Sequence, residues 1–151
     1  MWTMAPCDPT APEAQALLTD LSAALRAITG SGGEASFRAE DMRGEGALFL
    51  LARDANGAPA GCGAIRPLAG RMAELKRMYA APGQAGLGSA LLSQLETEAA
   101  RMGYRCLYLE TRRVNQRAVR FYRRHGYRLT ANFGRYAGRA EAVCFMKELS
   151  C

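Results

Sequence analysis

The chain predicts a mixed α/β fold (in class terms α+β) with a mostly antiparallel central sheet and flanking helices, on three observations. The unbroken apolar run Ala47–Ala52 reads as a strand buried on both faces. The short connections Asp54–Gly57 and Pro67–Gly70 then allow only antiparallel neighbours for the next two strands. Finally, Met72–Thr111 reads as strand, helix, strand, and a connection of that length requires a parallel pair. At 151 residues, 49% hydrophobic and 23% charged, the chain is expected to be one globular domain, residues 1–151.

Residues 1–9 are expected to be a loose lead-in or a short edge strand. Thr10-Ala11-Pro12-Glu13 has the pattern of a capping box, with Thr10 taking an orphan amide and Glu13 reaching back. Ala14, Leu17, Leu18, Leu21, Leu25 and Ile28 follow at helical spacing as one apolar stripe, and Gly30 stops the helix. Ser31–Gly33 is a loop, with a weak turn signal at Ala39–Arg43. The second hairpin strand spans Pro59–Arg66, where Gly61 and Gly63 thin one face. The third strand is Met72–Ala80. A helix over Leu87–Met102 places Leu91, Leu95, Ala99 and Met102 on one side, and the next strand is Tyr104–Thr111. Asn115 can cap a helix reaching Arg124, with Val114, Ala118 and Phe121 inward. Tyr127–Ala131 and Ala140–Leu149 are the last strands.

No apolar run approaches the roughly 20 residues that span a bilayer. The N-terminus lacks the basic and apolar regions of a secretory signal. Five cysteines, Cys7, Cys62, Cys106, Cys144 and Cys151, are scattered and never form C-x-x-C, and His125 is the one histidine. These are expected to be free thiols in a cytoplasmic protein without a metal site. The net charge of +6 is concentrated toward the C-terminus, with eleven arginines between Arg101 and Arg139. Such a field attracts polyanions. No nucleic-acid motif accompanies it, so a phosphate-bearing cofactor is preferred over DNA or RNA.

The stretch Met78–Leu92 runs from a strand end through a Pro- and Gly-rich turn into a helix. Unbonded first-turn amides and the helix dipole make such a start an anion site. It is not a Walker loop, because no Lys-Ser or Lys-Thr follows the last glycine. A dinucleotide-binding unit is a weaker rival, which Glu110, about the right distance on, does not remove.

Three segments carry a resemblance. Glu74-Leu75-Lys76-Arg77-Met78-Tyr79 resembles the fourth strand of the GNAT N-acetyltransferase superfamily, and Gly86–Leu92 resembles its pyrophosphate loop and helix. Asn115-Gln116-Arg117-Ala118-Val119-Arg120-Phe121-Tyr122-Arg123-Arg124-His125-Gly126-Tyr127 is similar to its N-x-x-A-x-x-F-Y-x-x-x-G-[FY] segment. Phe133–Tyr136 followed by Val143–Leu149 also resembles a bacterial subgroup of acetyltransferases. The family loop is usually about two residues longer: only five residues separate Pro82 from Gly88, and Gln84 is one step out of register with the usual Arg or Gln.

The resemblance implies an acetyl-CoA-dependent N-acetyltransferase whose fourth and fifth strands splay apart to admit the cofactor. Met78 and Ala80 would bond the pantetheine through their main chains, and Asn115 would hold it from the opposite side. The pyrophosphate would lie on Gln84, Ala85, Gly86, Leu87, Gly88, Ser89 and Ala90, with Arg120 or Arg124 near the 3′-phosphate. Tyr122 would serve the departing sulfur. Glu74 is the candidate base, on the expectation that strand parity puts it on the face of Met78, four residues on; Glu110 is the runner-up. The reading set against it is a surface ion pair of Glu74 with Lys76 or Arg77. The Met78 or Tyr79 amide is the expected oxyanion donor. A cysteine nucleophile is disfavoured, with one histidine for five thiols. The partner is expected to be a small-molecule or peptide amine, in a pocket built by Ser31–Asp41 and Arg135–Glu141; a homodimer is left open. Two rivals are a catalytically idle CoA-binding regulator and a basic nucleic-acid binder.

Overall fold

The computed structural model of the protein describes residues 1–149. Ser150 and Cys151 lie outside the described residues, and so does the free-thiol expectation for Cys151. The elements are β1 (Thr3–Pro6), α1 (Pro12–Thr29), β2 (Leu48–Arg53), β3 (Pro59–Ala69), β4 (Met72–Ala80), α2 (Leu87–Arg101), β5 (Cys106–Arg112), α3 (Gln116–Arg124), β6 (Arg128–Thr130) and β7 (Ala142–Glu148). Short 3-10 turns cover Glu34–Ser36, Ala39–Met42 and Gly134–Tyr136. The strands form one sheet in the order β1-β2-β3-β4-β5-β7-β6, antiparallel throughout except for β4 and β5.

The sheet is sandwiched. On one face, Leu75, Leu107, Leu109 and Phe145 pack with Leu87, Leu91, Leu92 and Leu95 of α2. Val119, Phe121 and Tyr122 of α3 rest on this layer. On the other face, Phe49, Leu51, Cys62 and Ala64 pack with Ala14, Leu17 and Leu18 of α1. The middle of β2 is buried on both sides, as its continuous apolar run requires.

Several local expectations are corrected. The capping box does not form: α1 is capped at Ala11 without a side-chain bond. The Thr10 hydroxyl donates to Asp8 at 2.7 Å, and Glu13 pairs with Arg53 of β2. An Asx turn at Asp8 and an ion pair to the sheet outcompete the local cap. Ile28 and Val114 are 49% and 64% exposed, because α1 outruns the sheet near its end and Val114 sits on the turn before α3. Met102, just past α2, is also exposed. β3 runs three residues beyond its expected end, to Ala69.

The thin face of β3 is a packing requirement. A Cβ on Gly61 would lie 2.6 Å from the Tyr79 carbonyl oxygen, and one on Gly63 would lie 2.8 Å from Met78 Sδ. These glycines let β4 and α2 approach the sheet where β4 leaves its regular course.

Candidate active site

β4 and β5 pair at Met72–Cys106, Ala73–Leu107 and Glu74–Tyr108 and then part. From Leu75 to Ala80, β4 keeps β3 on one side and has no ladder partner on the other among the described residues. β5 continues beside β7 to Arg112. A cavity of about 160 Å³ occupies the opening, lined by Leu75, Met78, Leu109, Glu110, Asn115 and Tyr122 among others.

A bulge follows in β4, three residues past its last pair with β5. Ala64 pairs with Lys76 and Cys62 with Tyr79, so Gly63 alone opposes both Arg77 and Met78. Arg77 takes a φ of 57°, the left-handed region, and among the described residues no other non-glycine has a positive φ. One inserted residue reverses the facing of everything after it. Met78 therefore joins Leu75 in the α2 layer, while Tyr79 packs toward α1. This corrects the parity expectation: Glu74 and Met78 point to opposite faces.

The bulge is held by Arg77, which reaches away from Glu74 toward α1. Its guanidinium donates to the Gly32 carbonyl at 2.9 Å and to Ser22 Oγ, and it lies 5.2 Å from the Phe37 ring centroid. The alternative of a Glu74 ion pair holds for Lys76, at 3.7 Å, but not on the surface: the pair is buried. Glu74 is 2% exposed and accepts from Arg66 at 3.0 Å and from the Tyr136 hydroxyl at 2.9 Å. Lys76, equally sequestered, donates to the same hydroxyl at 3.1 Å and sits 3.7 Å from the carboxylate. Burial draws the Lys76 ammonium below its usual range, against the opposing pull of Glu74.

Glu110 shares this face, two positions beyond the last residue of β5 that pairs with β4. It is paired with Arg112, yet burial raises its carboxyl above the ordinary range, with Arg112 offsetting part of the effect. Tyr122 lies across the opening on α3, edge-on to Phe121 and Tyr127 at 5.1 and 5.6 Å. Burial raises its phenol, which keeps its proton through the neutral range.

Asn115 caps α3 through Oδ1, accepting from the Ala118 amide at 3.3 Å, and its buried side chain also lines the cavity. At the mouth of α2, the Gln84 and Leu87 amides are used inside the loop, donating to Ala81 and Gln84 carbonyls. Ala90 is the first residue of α2 to make the helical bond to the carbonyl four residues back, that of Gly86. The amides of Ala85, Gly86, Gly88 and Ser89 have no backbone partner among the described residues, so four donors surround the helix start. The Ser89 side chain is engaged with His125 Nε2 at 2.8 Å, while His125 Nδ1 lies 2.8 Å from the Phe121 carbonyl. A carbonyl only accepts, so in the neutral ring Nδ1 carries the hydrogen and Nε2 accepts from Ser89.

Both loops expected to build the pocket contribute, through Gly33 and Tyr136, and Arg135 joins them by donating to the Ala35 carbonyl at 2.7 Å. Leu21 and Leu25 of α1 also line it. Tyr136, His125 and Trp2 were not singled out by the sequence. Tyr136 and His125 both stand in motif segments that did carry signal.

Parallel strands that part beside a helix start rich in free amides define the acyl-CoA N-acyltransferase class of fold. The model of the acetyltransferase (GNAT) family matches residues 14–127, and the chain belongs to that family. An uncharacterized N-acetyltransferase of Schizosaccharomyces pombe is 34% identical over 86 residues, covering 55% of this chain and 53% of that one. An IAA acetyltransferase of Azospirillum brasilense is 37% identical over 91 residues, covering 58% and 59%. The chain thus spans little more than half the length of these curated relatives. A solved Klebsiella pneumoniae structure assigned as an acyl-CoA N-acyltransferase matches with a TM-score of 0.83 at 29% identity, covering 99% of both chains.

Proposed function

We propose that the protein transfers an acetyl group directly from acetyl-CoA to a primary amine of a small molecule or peptide. The observation that carries this reading is the parting of β4 and β5 after three residue pairs, with Met78, Asn115 and Tyr122 around the opening. The pantetheine arm completes the open edge of β4 through the main chains of Met78 and Ala80. The diphosphate lies on the unpartnered amides of Ala85, Gly86, Gly88 and Ser89, since those of Gln84, Leu87 and Ala90 are already bonded within the loop and helix.

A lysine-like amine is neutral about once in 2,500 molecules at pH 7, so the site must take a proton before attack. Glu74 and Glu110 share the face opposite Met78, the side from which the amine approaches. Both oxygens of Glu74 are held, by Arg66 and Tyr136. Glu110 stands beyond the last paired residue, and burial raises its carboxyl, which makes it a stronger base than an ordinary carboxylate. We therefore place Glu110 first as base and assign Glu74 the orientation of Lys76 and Tyr136. The amide of Met78 or Tyr79 stabilises the tetrahedral oxyanion.

Proton transfer from an ordinary phenol to a thiolate of pKa near 8.5 is uphill by roughly 2 kcal/mol, and burial of Tyr122 widens that gap. Tyr122 therefore serves the leaving sulfur as a hydrogen-bond donor.

The test is calorimetric titration with acetyl-CoA, followed by an amine panel scored for release of free thiol. Binding with thiol release for one amine class is expected. Binding without turnover for any amine would leave a CoA-binding module, and no binding would remove the assignment.

A further inference from the structure

We propose that Trp2 is a positioning residue for the cofactor: its indole N–H orients the Gln84 carboxamide so that the amide NH2 faces the coenzyme diphosphate. The inference rests on the acetyl-CoA reading above. Trp2 Nε1 lies 2.8 Å from Gln84 Oε1, a bond spanning 82 residues from the lead-in of β1 to the loop before α2. An indole N–H only donates, so the partner atom must be the amide oxygen. That choice leaves the Gln84 NH2, which has no protein partner among the described residues, as the group free for an anion.

The same ring lies along the start of α2: its Cη2 is 3.6 Å from where a Cβ on Gly86 would stand. Trp2 is anchored by packing against the core layer of α2, so its N–H is a fixed donor. The loop is about two residues shorter than the family pattern and carries its glutamine one step out of register. A side chain held from the lead-in before β1 restores a directed contact that the loop cannot build alone.

The experiment measures binding of CoA and of S-acetylpantetheine, which lacks the diphosphate, to the wild-type protein and to Trp2→Phe and Gln84→Glu. Trp2→Phe is expected to weaken CoA about tenfold and to leave S-acetylpantetheine unchanged. Gln84→Glu keeps an acceptor for the indole but replaces the donor with a negative charge, and is expected to weaken CoA at least as much. Trp2 is the one tryptophan of the chain, so its emission reports the loop without any substitution. CoA, and not S-acetylpantetheine, should change it saturably.

Unchanged CoA affinity in both variants, an equal loss for both ligands, or emission blind to CoA would each overturn the role of Trp2. If Trp2→Phe fails to fold, Gln84→Glu and the wild-type emission decide. A wild-type protein that binds neither ligand would instead overturn the cofactor assignment and the proposal with it.

Discussion

The guanidinium of Arg77 donates to the carbonyl of Gly32 at 2.9 Å, joining the bulge in β4 to the loop that follows α1. With its bond to Ser22, this contact fixes the residue that reverses the strand between Glu74 and Met78. One buried side chain thus holds an otherwise disfavoured backbone beside the cleft, three residues past the last pair of β4 with β5.

Removing that side chain should cost about 2–4 kcal/mol of unfolding free energy, from lost packing and abandoned buried acceptors. Because φ is 57°, Arg77→Gly should be more stable than Arg77→Ala by about 0.5–1 kcal/mol, the reverse of the usual order in a strand. Urea unfolding of the two variants side by side measures the sign.

Tyr122→Phe should lower kcat by about 10²-fold with the KM for acetyl-CoA little changed, since only the hydroxyl that meets the departing sulfur is lost. Steady-state kinetics at saturating amine read both constants. An unaltered kcat would take Tyr122 out of the chemistry.

Burial raises the Glu110 carboxyl, and a base works only when deprotonated. The acidic limb of kcat/KM should therefore lie above the ordinary glutamate range and vanish in Glu110→Gln. The same shift gives a stability signature. The native state favours the protonated form, so this contribution is present at low pH and lost as pH rises through the folded-state pKa. A limb that persists in Glu110→Gln but disappears in Glu74→Gln would exchange the two roles.

Gly63→Ala places a methyl 2.6 Å from Leu95 Cδ1 and 2.8 Å from Met78 Sδ. Overpacking here should destabilise by about 1–3 kcal/mol and raise the KM for acetyl-CoA, because Met78 is the residue displaced. A raised KM in a variant of unchanged melting temperature would place the effect in the cleft alone.

Cys62 is buried between the sheet and α1, where desolvation pushes its thiol up to about 12. It should resist thiol reagents at pH 8 in the native protein and react only on unfolding, while half-buried Cys7 and Cys106 react first. Mass spectrometry after a timed quench distinguishes them.

What the sequence determined by itself was the local and periodic part. Hydrophobic spacing placed both long helices and all the central strands, Met72–Ala80 to the residue, because burial imposes those periods directly. Asn115 was legible as a cap, and the segment from Asn115 to Tyr127 carried the family likeness. Tertiary structure alone decided which face each cleft residue joins. A bulge adds one residue without any composition signal, and it is stabilised from α1, more than fifty residues away in sequence from Arg77. For the same reason Glu74 met Arg66 and Tyr136, and Trp2 met Gln84, by contacts across strands and loops. Local pattern reports what a residue buries; only the folded chain reports what it touches.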